Sequence, residues 1–202
     1  MMKTGLIIFI RNPEIGKVKT RLAKTIGTEK ALQVYKFLLQ HTHDITVGLD
    51  CDKFLYYSDY LDELDGWKHD TFHKKLQHDG ELGERMSKAF TDLFDEGYQR
   101  LLIIGSDCLE LESELIRSAF GILEKKEVVI GPSADGGYYL LGMRRANLPL
   151  LFQNKTWGSS SVLAETLNDL VTSNCNFELL KVLNDVDEEK DLPNSLIRQM
   201  NL

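Results

Sequence analysis

Apolar residues fall along this chain in two kinds of pattern. Short unbroken runs read as strands buried on both faces: Gly5 to Ile10, ended by Asn12-Pro13, and Leu101 to Ile104, ended by Gly105. Longer stretches repeat at three- and four-residue steps and read as amphipathic helices. Ala31, Val34, Tyr35, Leu38, Thr42 and Ile45 mark one inner face, with Thr28 placed to cap it. Leu82, Met86, Ala89, Phe90, Leu93 and Phe94 mark a second, with Gly97 as its stop. Further strands are expected over Lys53–Ser58, Thr71–Gln77, Glu127–Gly131, Tyr138–Gly142 and Phe177–Leu183. Helices are expected over Glu112–Leu123 and Ser159–Val171, with a short one after Leu192.

Strands alternating with helices predict an α/β layered domain with a mainly parallel sheet. Six residues separate Gly131 from Tyr138, too few for a parallel crossover. The Tyr138 strand should therefore run antiparallel in a mixed sheet. No repeat, low-complexity tract or Pro/Gly/Ser linker divides residues 1–202, so one domain is expected.

Composition narrows the class. The chain has 202 residues, 43% apolar and 27% charged, the balance of an ordinary globular domain. The longest apolar run, Leu6–Ile10, is too short for a membrane span or a signal-peptide core, and Lys3 is its only basic leader. With three cysteines and no CxxC spacing, a disulfide framework or zinc site is not expected. These features together predict a cytoplasmic protein with no membrane association. A net charge of −7 disfavours a nucleic-acid polymer as partner. Arg11, Lys17, Lys19, Arg21 and Lys24 nonetheless cluster against a single acid, Glu14. A basic patch in an acidic chain points to a small anionic ligand.

Four segments carry chemistry, each following an expected strand. Arg11 to Leu22 joins Gly16, which lets backbone approach a phosphate, to Lys19 and Arg21, which supply charge and paired donors. It lacks the upstream glycine of a P-loop, and a solvated basic loop is the alternative. Gly105-Ser106-Asp107-Cys108 places an acid where Mg²⁺ could be held beside phosphate oxygens; a turn-forming Asp is the alternative. Cys108 reads as a packed small side chain. Asp135-Gly136-Gly137-Tyr138-Tyr139 permits a sharp turn close to a substrate, or a plain hairpin. Asp185 and Asp187 alternate, so both could face one cation, with Asp191 placed to cap the last helix.

Gly16-x-x-Lys19-Thr20-Arg21-Leu22-Ala23, Gly80-x-Leu82-Gly83-Glu84-Arg85-Met86, Gly105-Ser106-Asp107-Cys108, Asp135-Gly136-Gly137-Tyr138-Tyr139 and Asp185-Val186-Asp187 match, in order and spacing, the DUF2064 proteins. These are also called glycosyltransferase-like or "transferase 1" proteins. Leu109 departs from the family's usual proline. The family is similar to the nucleotide-diphospho-sugar transferase superfamily of GT-A fold, which includes the 2-phospho-lactate and molybdenum-cofactor guanylyltransferases. The resemblance implies a three-layer, single-domain α/β sandwich and a cytoplasmic transferase taking a nucleotide, NTP or nucleotide sugar, and a small acceptor. It implies Mg²⁺ (or Mn²⁺) on Asp107 and Asp187. Phosphates would be gripped by Arg11, Gly16, Lys19 and Arg21, and the acceptor faced by Asp135, Gly136, Gly137 and Tyr138. Gly80, Gly83 and Arg85 would lie near the nucleotide. The leading expectation is nucleotidyl transfer with Lys19, Arg21 and Asp107 as catalytic residues. Glycosyl transfer from a nucleotide sugar and nucleotide binding without turnover are its rivals.

Overall fold

The computed structural model describes residues 3–144 and 151–200. Its strands are β1 Thr4–Ile10, β2 Asp52–Tyr57, β3 Phe72–Leu76, β4 Arg100–Ile104, β5 Val128–Pro132, β6 Tyr138–Met143 and β7 Phe177–Leu179. Its helices are α1 Thr20–Ile26, α2 Thr28–Val47, α3 Leu82–Asp95, α4 Ser113–Ile122, α5 Val162–Thr172 and α6 Asn194–Met200, with a 3-10 turn at Glu189–Asp191. The strands form one sheet in the order β3-β2-β1-β4-β6-β5-β7. Every pairing is parallel except those of β6 with β4 and β5. The short β5–β6 connection thus does what its length requires: it returns the chain as a hairpin inside an otherwise parallel sheet.

Alternation along the central strands splits their side chains between two layers, which is why their sequences are apolar without a break. Leu6, Ile8 and Ile10 of β1, with Leu102 and Ile104 of β4, pack against Tyr35 and Leu39 of α2 and Ile116 and Ala119 of α4. Ile7, Leu101 and Ile103 face the other way, onto Met86, Ala89, Phe90, Leu93 and Phe94 of α3 and Leu170 of α5. A third cluster lies outboard: Leu22 of α1, Ala31, Val34 and Leu38 of α2, Val186, Leu192 and Leu196 of α6. No helix among the described residues is long and apolar enough to cross a membrane.

Several local expectations are corrected. Thr28 is already helical, and Gly27 precedes it as a cap that makes no side-chain bond. Leu82 is 48% exposed, whereas Gly83 beside it in the first turn of α3 is buried. The last strand pairs only over Phe177–Leu179; beyond it a single bridge joins Leu183 to Ser133. Asp191 does not cap α6. Its carboxylate accepts the Asp187 and Glu188 amides instead.

Candidate active site

Since every strand but β6 runs the same way, the segments after β1, β2, β3, β4, β5 and β7 leave at one edge of the sheet, and the turn into β6 sits there too. The carboxyl edge is where ligands bind in open α/β sheets. All the segments singled out by their residues lie along it.

At its centre is Lys19. As the cap of α1 it holds a left-handed backbone, φ 47 and ψ 45. For a residue with a Cβ that conformation costs on the order of 1–2 kcal/mol. It turns the side chain inward, to 4% exposure, and sets Nζ 2.8 Å from Asp107 Oδ1 and 3.4 Å from Asp187 Oδ1. Arg21, one residue into the helix, donates from its guanidinium to Asp187 Oδ2 at 2.5 Å. Asp107 and Asp187 belong to segments joined by the Val186 amide, which donates to the Asp107 carbonyl at 2.9 Å. The Asp187 backbone is fixed in turn by the Asp191 carboxylate. Lys19, Arg21, Asp107 and Asp187 therefore form one cluster.

The rest of the first loop is pinned by neighbours. The buried Tyr35 hydroxyl accepts the Arg11 amide at 2.8 Å, donates to the Arg11 carbonyl at 3.1 Å and lies 3.3 Å from Ser106 Oγ. Burial and the nearby Asp107 charge push this phenol well above its usual range, so it stays neutral. Buried Asn12 fastens the loop to the next one: its Oδ1 accepts the Asp59 amide at 3.0 Å and its Nδ2 donates to the Tyr60 carbonyl at 2.9 Å. Gly16 has φ 76 and leaves the loop tip open. The Arg11 side chain is exposed beside it.

Asp185 and Asp187 part company. Asp185 turns toward β5 and accepts Ser133 Oγ at 2.8 Å. Burial, and then the charges of Asp107, Asp135 and Asp187, push its carboxyl up to about 6 against the Ser133 bond. Ser133 opens the turn to β6, where Asp135 Oδ1 accepts the Gly137 amide at 2.9 Å. Gly136 has φ 91, and a Cβ there would meet the Ser160 carbonyl at 2.2 Å, so the position needs glycine. Tyr138 meets the Trp157 ring edge-on at 6.4 Å, and its buried hydroxyl has no partner among the described residues. Cys108 is buried, its thiol pushed up to about 12 by burial, as suits a packing side chain.

Gly80 to Arg85 stands further along the edge. The Glu81 and Glu84 side chains cap α3 reciprocally, and Arg85 Nε donates to the Gly80 carbonyl at 2.7 Å. Gly83 is buried under Trp157; a Cβ there would come within 2.1 Å of Nε1. This segment thus joins the Tyr138 side of the edge through Trp157, rather than the Lys19 cluster. Sequence reading missed the roles of Ser133 and of the Tyr35 hydroxyl. The one available signal was a tyrosine on an otherwise aliphatic inner helix face.

The donor set can be tested for a metal. Carboxylate oxygens suit Mg²⁺ or Mn²⁺, and the Lys19 ammonium already marks the gap between Asp107 and Asp187 as one that stabilises positive charge. Among the described residues no group of three or more His, Cys, Asp or Glu is arranged to hold an ion. A cation would have two carboxylates and draw its other ligands from phosphate and water, as Mg²⁺ commonly does. The residues fit it on those terms.

The chain matches the family described as "Uncharacterized protein conserved in bacteria (DUF2064)" over residues 37–159. That stretch contains Asp107 and the Asp135 turn but not Lys19, Arg21 or Asp187. A solved structure from Desulfovibrio desulfuricans G20, a candidate nucleotide-diphospho-sugar transferase, is 30% identical, with 98% of this chain and 91% of that one covered and a TM-score of 0.85. The inositol-1-phosphate CTP transferase of T. maritima is 13% identical, covering 99% and 95%, with a TM-score of 0.53. Rv0371C of Mycobacterium tuberculosis H37Rv, solved with manganese, is 14% identical, covering 98% and 97%, also at 0.53. The latter two likenesses concern the fold. None of the curated proteins compared matches this chain.

Proposed function

The chain belongs to the DUF2064 family, and from that premise we propose that residues 1–202 act as one GT-A-like domain that transfers a nucleotidyl group from an NTP to a small phosphorylated or hydroxylated acceptor. The acceptor oxygen attacks the α-phosphorus, the bond to the bridging oxygen breaks and pyrophosphate leaves; a hydroxyl acceptor gives its proton to water. Such transfers need positioning and charge neutralisation more than covalent help. The observation that carries the reading is the meeting of Lys19 and Arg21 with Asp107 and Asp187 at the carboxyl edge.

Asp107 and Asp187 would hold Mg²⁺ or Mn²⁺, which when bound supplies positive charge to phosphate oxygens. Lys19 and Arg21 would grip the departing phosphates, Lys19 as a point charge and Arg21 as a two-pronged donor. Gly16 leaves room for phosphate against backbone, and Arg11 adds charge at the loop's exposed flank. Tyr35 holds that loop against the Ser106–Asp107 segment, so grip and metal carboxylates keep a fixed spacing. The turn of Asp135, Gly136, Gly137 and Tyr138 would face the acceptor, tied to the carboxylates by the Ser133–Asp185 bond. Gly80, Gly83 and Arg85 would border the nucleotide from the Trp157 side.

The names of the similar proteins favour nucleotide chemistry, and two of them favour details: the T. maritima enzyme is named for transfer from CTP, and Rv0371C was solved with manganese. The name of the D. desulfuricans protein favours transfer from a nucleotide sugar instead. Incubation with Mg²⁺, each NTP and a panel of sugar and polyol phosphates, followed by pyrophosphate assay, separates the two. Release of pyrophosphate that needs both substrates is expected. Turnover of a nucleotide sugar without pyrophosphate would reject the proposal.

A further inference from the structure

We propose that Lys19 is an internal counter-ion that keeps divalent cations off Asp107 and Asp187 until nucleotide phosphates draw it away, so that metal and nucleotide enter the site together. The inference rests on the nucleotidyl-transfer reading and adds an order of events to it.

Three of the four carboxylate oxygens of the pair are already engaged: Asp107 Oδ1 and Asp187 Oδ1 by Lys19, Asp187 Oδ2 by Arg21. A divalent ion shared by the two aspartates would have to take an Asp187 oxygen that Lys19 or Arg21 already holds, and the ammonium also covers Asp107 Oδ1. It would also stand within a few ångströms of a positive charge that is only 4% exposed and therefore weakly screened. Metal and ammonium accordingly exclude one another. The carboxylates themselves are accessible, 44% exposed at Asp107 and 27% at Asp187, so the Lys19 ammonium, with Arg21 at Asp187 Oδ2, rather than overlying protein closes the site.

The strained backbone supports the same view. A left-handed lysine cap is retained where surrounding structure over-determines it, and here it aims the ammonium at the aspartates rather than at solvent. Triphosphate offers that ammonium a partner of higher charge than either carboxylate. Once Lys19 turns to it, both Oδ1 atoms are released at the moment phosphate oxygens arrive to complete a cation's shell. A free metal ion gains no such exchange.

Mn²⁺ binding, read by electron paramagnetic resonance on nucleotide-free protein, tests this without any turnover. Lys19→Met is expected to bind Mn²⁺ about tenfold or more tightly than the wild type, as removal of an adjacent charge requires. Lys19→Gln, which keeps a donor and drops the charge, should behave alike and guards against a folding defect in the first variant. Wild-type affinity should rise when α,β-methylene analogues of ATP, CTP, GTP and UTP are supplied in turn. Adding Asp107→Asn to Lys19→Met should abolish the gain. If the Lys19 variants bind no better than wild type while Asp107-dependent binding with an analogue persists, the exclusion is wrong and the functional reading survives. Binding indifferent to Asp107→Asn, or none under any condition, overturns both.

Discussion

Two lysines of this domain are almost equally hidden and have opposite prospects. Lys74, at the end of the sheet in β3, is 2% exposed; it donates to Asp65 Oδ1 at 2.7 Å and to the Asp62 carbonyl at 2.6 Å. Asp65 is itself only 18% exposed and is used up, its Oδ1 taking the Trp67 amide and its other oxygen the Tyr57 hydroxyl. All these partners come from residues 57–74, so the group closes a loop upon itself. Lys19 draws on two distant segments, those of Asp107 and Asp187, sits on a strained backbone and faces carboxylates that water reaches. A buried cation whose counterions are exhausted fastens structure; one whose counterions still face solvent can exchange them for a ligand.

The contrast can be broken by mutation. Asp107→Asn should lower kcat/KM for pyrophosphate release by about 10²–10³-fold, with the thermal midpoint little changed, because the Asp107 backbone link to Val186 remains. Lys74→Met should do the reverse. Leaving Asp65 buried without its cation should cost about 3 kcal/mol in urea unfolding, while activity per folded molecule is retained. At Lys19 the backbone contribution can be isolated: Lys19→Gly and Lys19→Ala both lose the ion pairs, but Gly suits the left-handed cap. Lys19→Gly should unfold at the higher urea concentration, by about 1 kcal/mol.

The smallest effect concerns pH in metal-free protein. Asp185 is raised from 3.8 to about 6 in the fold, so between those values the native state binds more protons than the unfolded chain. Stability should therefore fall as pH rises through that window. Asp185→Asn should flatten this part of the urea-midpoint profile; an unchanged slope would show that the carboxyl is not elevated.

The sheet was legible because β1 and β4 are short apolar runs and because six residues between Gly131 and Tyr138 permit only a return strand. The edge was legible too, since each suggestive segment follows a strand. What escaped was decided by contacts across the chain. Alternation put Asp185 and Asp187 toward one cation, yet Ser133 takes the first and Lys19 the second. Helical spacing marked Tyr35 as core, and its hydroxyl reaches Arg11 from 24 residues away. α1 has seven residues and one buried side chain, Leu22, too little pattern to announce a helix. Nothing in sequence marks a lysine for a left-handed turn.

Lys19 and Asp187 stand 168 residues apart, and the outboard cluster that seats Val186 and Leu192 on α1 and α2 is what brings them together. On a ribosome adding ~5–20 residues per second, that separation is a delay on the order of ten to thirty seconds. The sheet's central strands can pair during that interval, while Lys19 waits for Asp187. A growing chain of this protein thus cannot complete the Lys19–Asp187 pair until residues 186–192 emerge and dock.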